Sequence, residues 1–342
     1  FAFWCRKKNI QNFKKNINNS EFRVGLGLIF HICPSNIPVN FAYSFAFGLL
    51  SGNSNIVRVP SKSFPQVKII CDLINYLFKT KKFKSFNNTN LFVRYDQQDI
   101  ITSFYSSICN ARIIWGGDQS VNNIRKIITS PKCVDITFPD RYSFCLMNSN
   151  SVCKLDPAKL RSLVKKFYND TYIMDQNGCS SPHLIFWLGK NKKKLSELFW
   201  KNLSKKISKD YDFPDIASID KYVKICNDVT MKNFKSAKIY DKSLHVVKLK
   251  KLNFELDTLR GKWGYFYEYN IQSLNEIIPC LNPKYQTLTY FGIQKNEIKD
   301  FINGNNPRGV DRVVPIGQSL HISLDWDGYD IIKSLSRGIN II

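Results

Sequence analysis

Acidic residues are scarce in this chain, which has 27 Asp and Glu residues against 50 Lys and Arg residues and a formal net charge of +23. Such an excess favours anionic partners, either nucleic acid or polyphosphate ligands. A strongly biased genome would produce the same excess, since Lys, Asn, Ile and Phe are frequent throughout. The Lys runs are dispersed, and no nucleic-acid-binding motif accompanies them. We therefore predict a solvated basic surface and no nucleic-acid partner.

Long hydrophobic runs are also lacking. The longest apolar stretch, from about Phe41 to Leu50, is bounded by Pro38 and Gly52, and it is far shorter than the roughly 20 residues that cross a bilayer. The first four residues are too short an apolar run for a signal peptide, and basic residues follow them. These absences predict a cytoplasmic protein with no membrane span. Because Phe1 and not Met opens the chain, we expect residues upstream to be missing.

Clustered metal ligands are absent from the sequence as well. The ten cysteines are scattered, none of them in a CxxC pair, and the four histidines do not group with them. This distribution predicts no metal site. Cysteines spread through apolar segments are typical of reduced, buried thiols in the cytosol. At most one or two of the ten then need a chemical role.

What the sequence does contain is an alternation of β-rich runs with helical patterns. We predict strands at Val24 to Ile32 and Ala111 to Trp115, and a helix from Phe64 to Phe78. Alternation of this kind predicts parallel βαβ units, and hence an α/β fold with a Rossmann-type, doubly wound first domain. The pattern changes after about Pro139. We expect a nicotinamide-cofactor domain over 1–138, N-terminally truncated, and a second α/β, catalytic domain over 139–318. Residues 319–342 should return to the first lobe or form an oligomer interface.

The first segment with chemical potential follows a predicted strand, in the string HICPSNIPVNF. Asn36 lies there between Pro34 and Pro38. A side-chain amide fixed in such a turn can donate to an oxyanion. Asn is also common in ordinary turns, so the residues alone leave both interpretations open.

The second segment is IIWGGDQSVNNIRK, in which Gly116 and Gly117 join a buried strand to a helix capped by Asp118. Glycines at such a junction let backbone N–H groups approach a phosphate at the helix N-terminus. An ordinary helix start would have the same pattern.

The third segment, DQNGCSSPHLIF, contains Cys179 in a polar, turn-forming setting. A nucleophilic thiol needs exposure and a lowered pKa, which turns and helix N-termini can supply. An incidental loop cysteine is the alternative. His183 lies four residues further on, but Pro182 between them disfavours a Cys–His pair on one helical face.

Taken in order, these segments resemble the aldehyde dehydrogenase superfamily, and specifically its LuxC-type acyl-CoA reductase branch. The resemblance begins at about Val24 and covers nearly the whole chain. The strings that carry it are CPSNIP, GNSNIVRVPSK, WGGDQSVNNIR, DQNGCSSP, YQTLTYFG and RGVDRVVPIGQSLHISLDWDG.

The resemblance implies a role for each matched residue. Cys179 would form a thioester with the acyl group, and the Asn36 side chain would complete an oxyanion hole with the backbone N–H of Cys179. Gly116 and Gly117 would open the helix near the cofactor pyrophosphate. The other cofactor-binding residues belong to the segment that matches the superfamily's ribose-binding string: Arg58, Ser61 and Lys62.

Two departures from the superfamily pattern refine the expected activity. Lys62 stands where most aldehyde dehydrogenases have a ribose-binding Glu, which together with Arg58 favours NADPH over NADH. Thr137 stands at or near the general-base Glu of the hydrolytic enzymes, and without that base water is poorly activated to attack a thioester. We therefore expect an NADPH-dependent reductase that converts a fatty acyl thioester to an aldehyde.

The expected partners are an acyl-CoA or acyl-protein thioester, a partner enzyme that activates or transfers acyl groups, and further copies of the chain in a homo-oligomer. Two alternatives stay open from sequence. One is a catalytically silent or supporting homologue with the same fold, and the other is a basic nucleic-acid-binding protein.

Overall fold

Residues 1–16, 22–96, 98–252 and 255–341 are described in a computed structural model of the protein. Contacts within the chain divide it into two units. The first comprises Phe1–Asp140 with Ser323–Ile342, and the second comprises Arg141–Ile322.

The first unit is built around a five-stranded parallel sheet. Its elements up to residue 140 are α1 (Lys7–Asn16), β1 (Arg23–Gly25), β2 (Leu28–Ile32), α2 (Asn40–Leu50), β3 (Ser54–Arg58), α3 (Pro65–Lys79), α4 (Lys84–Asn87), β4 (Asn90–Val93), α5 (Asp99–Ile108), β5 (Ala111–Trp115), α6 (Asp118–Arg125) and β6 (Val134–Phe138). The strand order is β4-β3-β2-β5-β6. Because the chain proceeds from β2 to one edge and then returns to β5 on the other side, the order reverses between β2 and β5. Ligands of doubly wound sheets bind beyond the carboxyl ends of the strands at such a point.

Apolar side chains cover both faces of this sheet. Phe41 and Phe45 of α2 pack with Val67 of α3 on one face, and Val121 of α6 packs against Phe30 on the other. Helices on both faces explain why the strands are continuous apolar runs and do not alternate with polar residues.

The run from Val24 to Ile32, predicted as one strand, is two strands. Gly27 interrupts it with a φ of +129°, a value that residues with a side chain rarely adopt. A Cβ at this position would lie 2.3 Å from Oδ1 of Asn110. Glycine is therefore required where the Asn110 side chain approaches the backbone. β1, which precedes this glycine, is not a strand of the main sheet.

The second unit contains a seven-stranded sheet. Its helices and strands are β7 (Tyr142–Asn148), α7 (Ser149–Cys153), α8 (Pro157–Thr171), β8 (Pro182–Leu188), α9 (Lys192–Asp210), α10 (Ile216–Val229), β9 (Phe234–Asp241), β10 (Leu244–Leu249), β11 (Tyr265–Asn270), β12 (Tyr285–Phe291), α11 (Lys295–Asn305) and β13 (Arg312–Pro315). Short 3-10 helices span Tyr172–Met174, Leu256–Thr258 and Leu274–Cys280.

The strand order of this sheet is β13-β12-β7-β8-β11-β10-β9, and only the edge strand β9 pairs antiparallel with its neighbour. One face is covered by α8 and α9 through side chains such as Phe167 and Phe199. The opposite face is covered by the segment around Leu274 and by α11 through Phe301. The parallel direction brings the amino ends of β7, β8, β12 and β13 to one edge.

The chain ends in the first unit with β14 (Asp325–Trp326), β15 (Tyr329–Asp330), α12 (Ile331–Ser334) and β16 (Ser336–Gly338). β16 pairs antiparallel with β1. The predicted α/β class, a Rossmann-type sheet followed by a second α/β unit, is confirmed. Among the described residues, no helix combines the length and the apolar character that crossing a membrane requires.

Candidate active site

Asn36 and the predicted cofactor residues lie at one edge of the first sheet, in loops except for Arg58, which ends β3. Asn36 follows β2, Lys62 follows β3, and Gly116 follows β5. These strands are parallel, so their carboxyl ends meet at the edge where the strand order reverses. Asn36 has an exposed side chain in the bend before α2. The structure therefore brings these residues to the edge at which doubly wound sheets generally bind their ligands.

The two cations predicted to bind a 2′-phosphate differ in their surroundings. The Arg58 guanidinium donates to the backbone oxygens of Tyr95 (3.5 Å) and Asp96 (3.3 Å), and it lies 4.6 Å from the centre of the Tyr95 ring. Lys62 is exposed, with Nζ 5.8 Å from the Phe64 ring centre. Ser61 is exposed beside it. The Arg58 side chain is therefore already bound to backbone oxygens of the first unit, whereas the Lys62 and Ser61 side chains are accessible to a ligand.

The glycine pair at the start of α6 is only partly available to a ligand. The Gly116 N–H donates to the Phe138 carbonyl oxygen (3.2 Å). A Cβ on Gly117 would meet no atom within 4 Å, so the space in front of the helix is open. Asp118 accepts from the Asp140 N–H (3.1 Å). The N–H groups in the first turn of α6, which lack partners within the helix, are the donors that could bind a phosphate.

In the second unit, Cys179 is half-buried and follows a strained turn. Asp175 and Gln176 both adopt left-handed conformations, with φ values of 51° and 60°. Such conformations cost non-glycine residues about 1–3 kcal/mol and need support from the surrounding structure. Oε1 of Gln176 accepts from the N–H groups of Gly264 (2.9 Å) and Tyr265 (3.0 Å). The buried Gln176 amide thus fixes the turn that presents Cys179.

A buried serine anchors the main chain of the cysteine itself. Ser143 Oγ donates to the Cys179 carbonyl oxygen (2.6 Å) and accepts from the Thr287 N–H (3.2 Å). Ser143 is in β7 and Thr287 is in β12. Cys179 is thereby tied to the amino ends of two neighbouring strands of the sheet.

A second loop packs against the residue before the cysteine. A Cβ added to Gly178 would lie 3.1 Å from Oγ of Ser181 and 3.3 Å from Cδ2 of Leu320. Leu320 belongs to the turn after β13, and the Asp170 carboxylate binds that turn through the N–H groups of Gly317 (2.6 Å) and Ser319 (2.9 Å). Close packing of this turn explains the glycine before Cys179.

Arg312, at the start of β13, binds the same turn through its side chain. Its guanidinium donates to three backbone oxygens, those of Ser319 (2.6 Å), Gln318 (2.8 Å) and His321 (2.6 Å). Burial lowers the pKa of Arg312 to about 10, while the negative charges of Asp170 and Cys179 act to raise it. Arg312 therefore stays positive at neutral pH.

His183 has no exposed imidazole for catalysis. It is buried in β8, stacks on Tyr142 with ring centres 5.5 Å apart, and accepts from the Gly261 N–H (3.4 Å). Burial and the charge of Arg260 lower the pKa of His183 to about 3, so the ring is neutral at pH 7.

The prediction that the cysteines are generally buried is only partly correct. Cys33, Cys109, Cys145 and Cys280 are buried, but Cys5, Cys153 and Cys226 are exposed. The exposed three lie at the surface of local helical or turn segments, where an isolated thiol is tolerated.

The residues that support Cys179 were not found from sequence. Ser143, Thr287 and Arg312 are each more than 30 residues away from it along the chain, on three different strands. Arg312 and Thr287 do fall within two strings that carry the family resemblance. No spacing rule connects those strings to the cysteine. Strand pairing makes Thr287 and Arg312 neighbours of each other, and the hydrogen bonds of Ser143 link Thr287 to Cys179.

Solved structures with a similar fold include aldehyde dehydrogenases and proline utilization A proteins. Aldehyde dehydrogenase 21 from Physcomitrella patens, in complex with succinate, is 12% identical at a TM-score of 0.65, over 92% of this chain and 68% of that one. The glyceraldehyde-3-phosphate dehydrogenase of Methanocaldococcus jannaschii, complexed with NADP, is 14% identical at a TM-score of 0.64, over 94% and 75%. Proline utilization A from Bradyrhizobium japonicum is 11% identical at a TM-score of 0.61, over 90% of this chain. This chain spans only 33% of that protein's length.

The fold is thus that of the aldehyde dehydrogenases. The sequence profile of the acyl-CoA reductase (LuxC) family matches residues 5–338, and the chain belongs to that family. A comparison with curated proteins finds no match.

Proposed function

We propose that this protein reduces a fatty acyl thioester to a fatty aldehyde with NADPH, through a covalent acyl group on Cys179. The observation that carries the proposal is the support given to Cys179, in a chain that belongs to the acyl-CoA reductase family. A half-buried thiol is held at the amino ends of parallel strands by Ser143 and by the strained turn at Gln176. Fixing a nucleophile in this way supplies much of the orientation that acyl transfer needs.

The proposed chemistry begins with the Cys179 thiolate. Its sulfur forms a bond to the acyl carbon, the bond from that carbon to the sulfur of the donor breaks, and the donor leaves with the electron pair. When bound, NADPH supplies the hydride that reduces the acyl carbon. The bond between that carbon and Cys179 then breaks, which releases the aldehyde and returns the electron pair to the cysteine sulfur.

Asn36 is proposed to stabilise the negative charge that develops on the acyl oxygen. A primary amide donates a hydrogen bond without changing protonation state, which suits an oxyanion. The exposed side chain after β2 is available for this role. The backbone N–H of Cys179 is proposed as the second donor.

The first unit is proposed to hold the cofactor. The open space at Gly117 and the N–H groups of the first turn of α6 suit a pyrophosphate. Ser61 and Lys62 are proposed to contact the 2′-phosphate. Arg58, which is bound to backbone oxygens, is proposed to support this loop and to add positive charge from behind it. Gly116 is assigned to the turn itself because its N–H is already bonded.

Reduction in preference to hydrolysis is supported by Thr137. This residue of β6 is half-buried, and the family resemblance implies that it stands at or near the position of the carboxylate base of the hydrolytic enzymes. A hydroxyl of ordinary pKa takes a proton from water poorly. The acyl-cysteine should therefore persist until it is reduced.

The decisive experiment measures NADPH oxidation and aldehyde release with a panel of acyl-CoA thioesters of different chain length. Cys179→Ala should abolish aldehyde formation and covalent labelling by the acyl-CoA, because the attacking sulfur is gone. Cys226→Ala, which removes an exposed cysteine of α10, is the matched control and should retain both. Acyl labelling that survives in the Cys179 variant would assign the nucleophile to another cysteine.

A further inference from the structure

Two cysteines of the first unit lie in contact. The sulfur atoms of Cys109 and Cys133 are 3.8 Å apart. Cys109 lies between α5 and β5, and Cys133 comes immediately before β6. Because β5 and β6 are parallel, with Ala111 opposite Val134, both thiols lie at the amino ends of these strands. The proposed cofactor residues lie at the carboxyl ends, so the thiol pair is a separate feature of this unit.

The backbone next to both cysteines is fixed by contacts between the two strands. The Val134 N–H donates to the Asn110 carbonyl oxygen (3.2 Å). One residue further along each strand, the buried Arg112 guanidinium donates to both carboxylate oxygens of Asp135 (2.7 Å each). These bonds hold the strands in register, and the two sulfur atoms are neighbours as a consequence of that register.

The sulfur atoms need only a short approach to form a bond. A disulfide has a sulfur–sulfur distance of about 2.05 Å, so the two atoms must move together by about 1.8 Å. Cys133 ends the irregular segment between α6 and β6, where its N–H donates to the Ser130 carbonyl oxygen (2.9 Å). The Cys109 thiol donates to the Ser106 carbonyl oxygen (3.4 Å), a weak bond for sulfur. Side-chain rotation and a small shift of this segment supply the approach without moving a strand.

The two thiols differ in their access to solvent. Cys109 is 1% exposed, whereas Cys133 is half-buried. Burial raises the pKa of the Cys109 thiol to about 12, and the neighbouring Cys133 acts in the same direction. A buried, protonated thiol reacts slowly with reagents from solvent. An external oxidant therefore reacts with Cys133 first, and Cys109 is reached through Cys133.

We propose that Cys109 and Cys133 are a modification site, at which a low-molecular-weight disulfide oxidises the pair to a reversible internal disulfide. The Cys133 sulfur bonds to one sulfur of the external disulfide, whose S–S bond breaks, and the first small thiolate leaves with the electron pair. The Cys109 sulfur then bonds to the Cys133 sulfur and expels the second small thiolate. Each protein thiol gives its proton to solvent. Two protein thiols are oxidised, and one external disulfide is reduced to two thiols.

The internal disulfide closes a ring over residues 109–133, which contain β5, the glycine pair and α6. These are the strand, turn and helix that the proposed function assigns to the cofactor pyrophosphate. A covalent link between the ends of this segment restricts its unfolding. The link lies at the amino ends of β5 and β6 and leaves the carboxyl edge of the sheet open.

The test exposes the reduced full chain to oxidised glutathione, blocks the remaining thiols with N-ethylmaleimide, and maps tryptic peptides without reduction. Cys109 and Cys133 lie in separate tryptic peptides, 95–112 and 133–141, each with a single cysteine. We expect these peptides to be joined with the loss of two hydrogen atoms, and dithiothreitol to separate them. Cys109→Ser should leave glutathione on Cys133, and Cys133→Ser should leave Cys109 free. Cys153→Ser, which removes an exposed cysteine of α7, is the matched control and should give the wild-type cross-link.

The proposal is overturned if Cys109 of the folded wild type stays free at the end of the reaction, or if Cys133 is joined to another cysteine. An equal yield of the cross-link in the urea-unfolded protein would also overturn it, because the fold would then contribute nothing to the pairing. The wild type alone decides if a variant does not fold. Since no step uses acyl-CoA or NADPH, failure of the protein to reduce acyl-CoA would refute the proposed function and leave this result standing.

Discussion

Replacing Ser143 by Ala should separate the support of Cys179 from the general stability of the second unit. The Ser143 side chain is fully buried, and its Oγ joins the Cys179 carbonyl oxygen to the Thr287 N–H. Without it, the buried Thr287 N–H and the partly buried Cys179 carbonyl oxygen both lose their partner. Each unsatisfied buried group costs about 1–3 kcal/mol. Because the carbonyl oxygen is only partly buried, we expect the free energy of unfolding to fall by about 2–4 kcal/mol, below the full cost of two buried groups.

The functional effect should exceed what this destabilisation explains. Once released from Ser143, the main chain at Cys179 can shift, and misplacement of a reacting atom by about 1 Å can lower a rate by roughly a hundredfold. We therefore expect turnover and the rate of Cys179 alkylation to fall by about ten- to a hundredfold at a temperature where the variant is still folded. Urea unfolding, followed by fluorescence, reports the stability of the same samples.

Ser149→Ala is the matched control for this prediction. Ser149 is equally buried, follows the other end of β7, and donates to the backbone oxygens of Leu188 (2.8 Å) and Lys190 (2.6 Å). Its loss should destabilise the protein by a similar amount and leave the alkylation rate of Cys179 near that of the wild type. If both variants slow alkylation equally, or if Ser143→Ala slows it not at all, the anchoring role assigned to Ser143 is wrong.

Two further predictions concern the first unit. Asn36→Ala should lower turnover on the order of 10²–10³-fold with little change in the NADPH dissociation constant, because an oxyanion donor acts mainly in the transition state. Ser35→Ala, at the neighbouring exposed residue, is the control. Parallel losses in turnover and in NADPH binding would make Asn36 a structural turn residue. Lys62→Glu should remove most of a preference for NADPH over NADH of about ten- to a hundredfold, since a charge-assisted hydrogen bond contributes about 1.5–3 kcal/mol. Lys81→Glu, which makes the same charge reversal beyond the end of α3, is the control. If the ratio of the NADPH and NADH dissociation constants is unchanged in the Lys62 variant, other residues bind the 2′-phosphate.

The position of the nucleophile candidate was accessible from sequence because its environment is local. Gln, Asn and Gly before Cys179 and two serines and a proline after it predict a turn, whatever the rest of the chain does. What that string did not predict is the strain at Asp175 and Gln176. Left-handed conformations at non-glycine residues are stabilised by tertiary contacts, here the hydrogen bonds of Gln176 to Gly264 and Tyr265.

The alternation of strands and helices was likewise readable from the sequence alone. The run from Ala111 to Trp115 is apolar and flanked by Asn and Gly, so it predicts a buried strand without reference to its neighbours, and it is β5. The run from Val24 to Ile32 is not the single strand that its sequence predicts, because its second half joins the main sheet while its first half pairs with β16, more than 300 residues later. No local pattern contains that pairing.

The α/β class, the family and the turn that presents Cys179 can be predicted from the chain, because periodicity, motif strings and turn residues act over a few neighbouring positions. The side chains that support that cysteine are identified by the three-dimensional structure. Ser143, Thr287 and Arg312 come from three strands whose parallel pairing aligns their amino ends. It also distinguished the accessible Lys62 from Arg58, which is bound to the backbone oxygens of Tyr95 and Asp96. Both outcomes depend on distances between segments that are remote in the chain, and such distances are set by sheet register and packing.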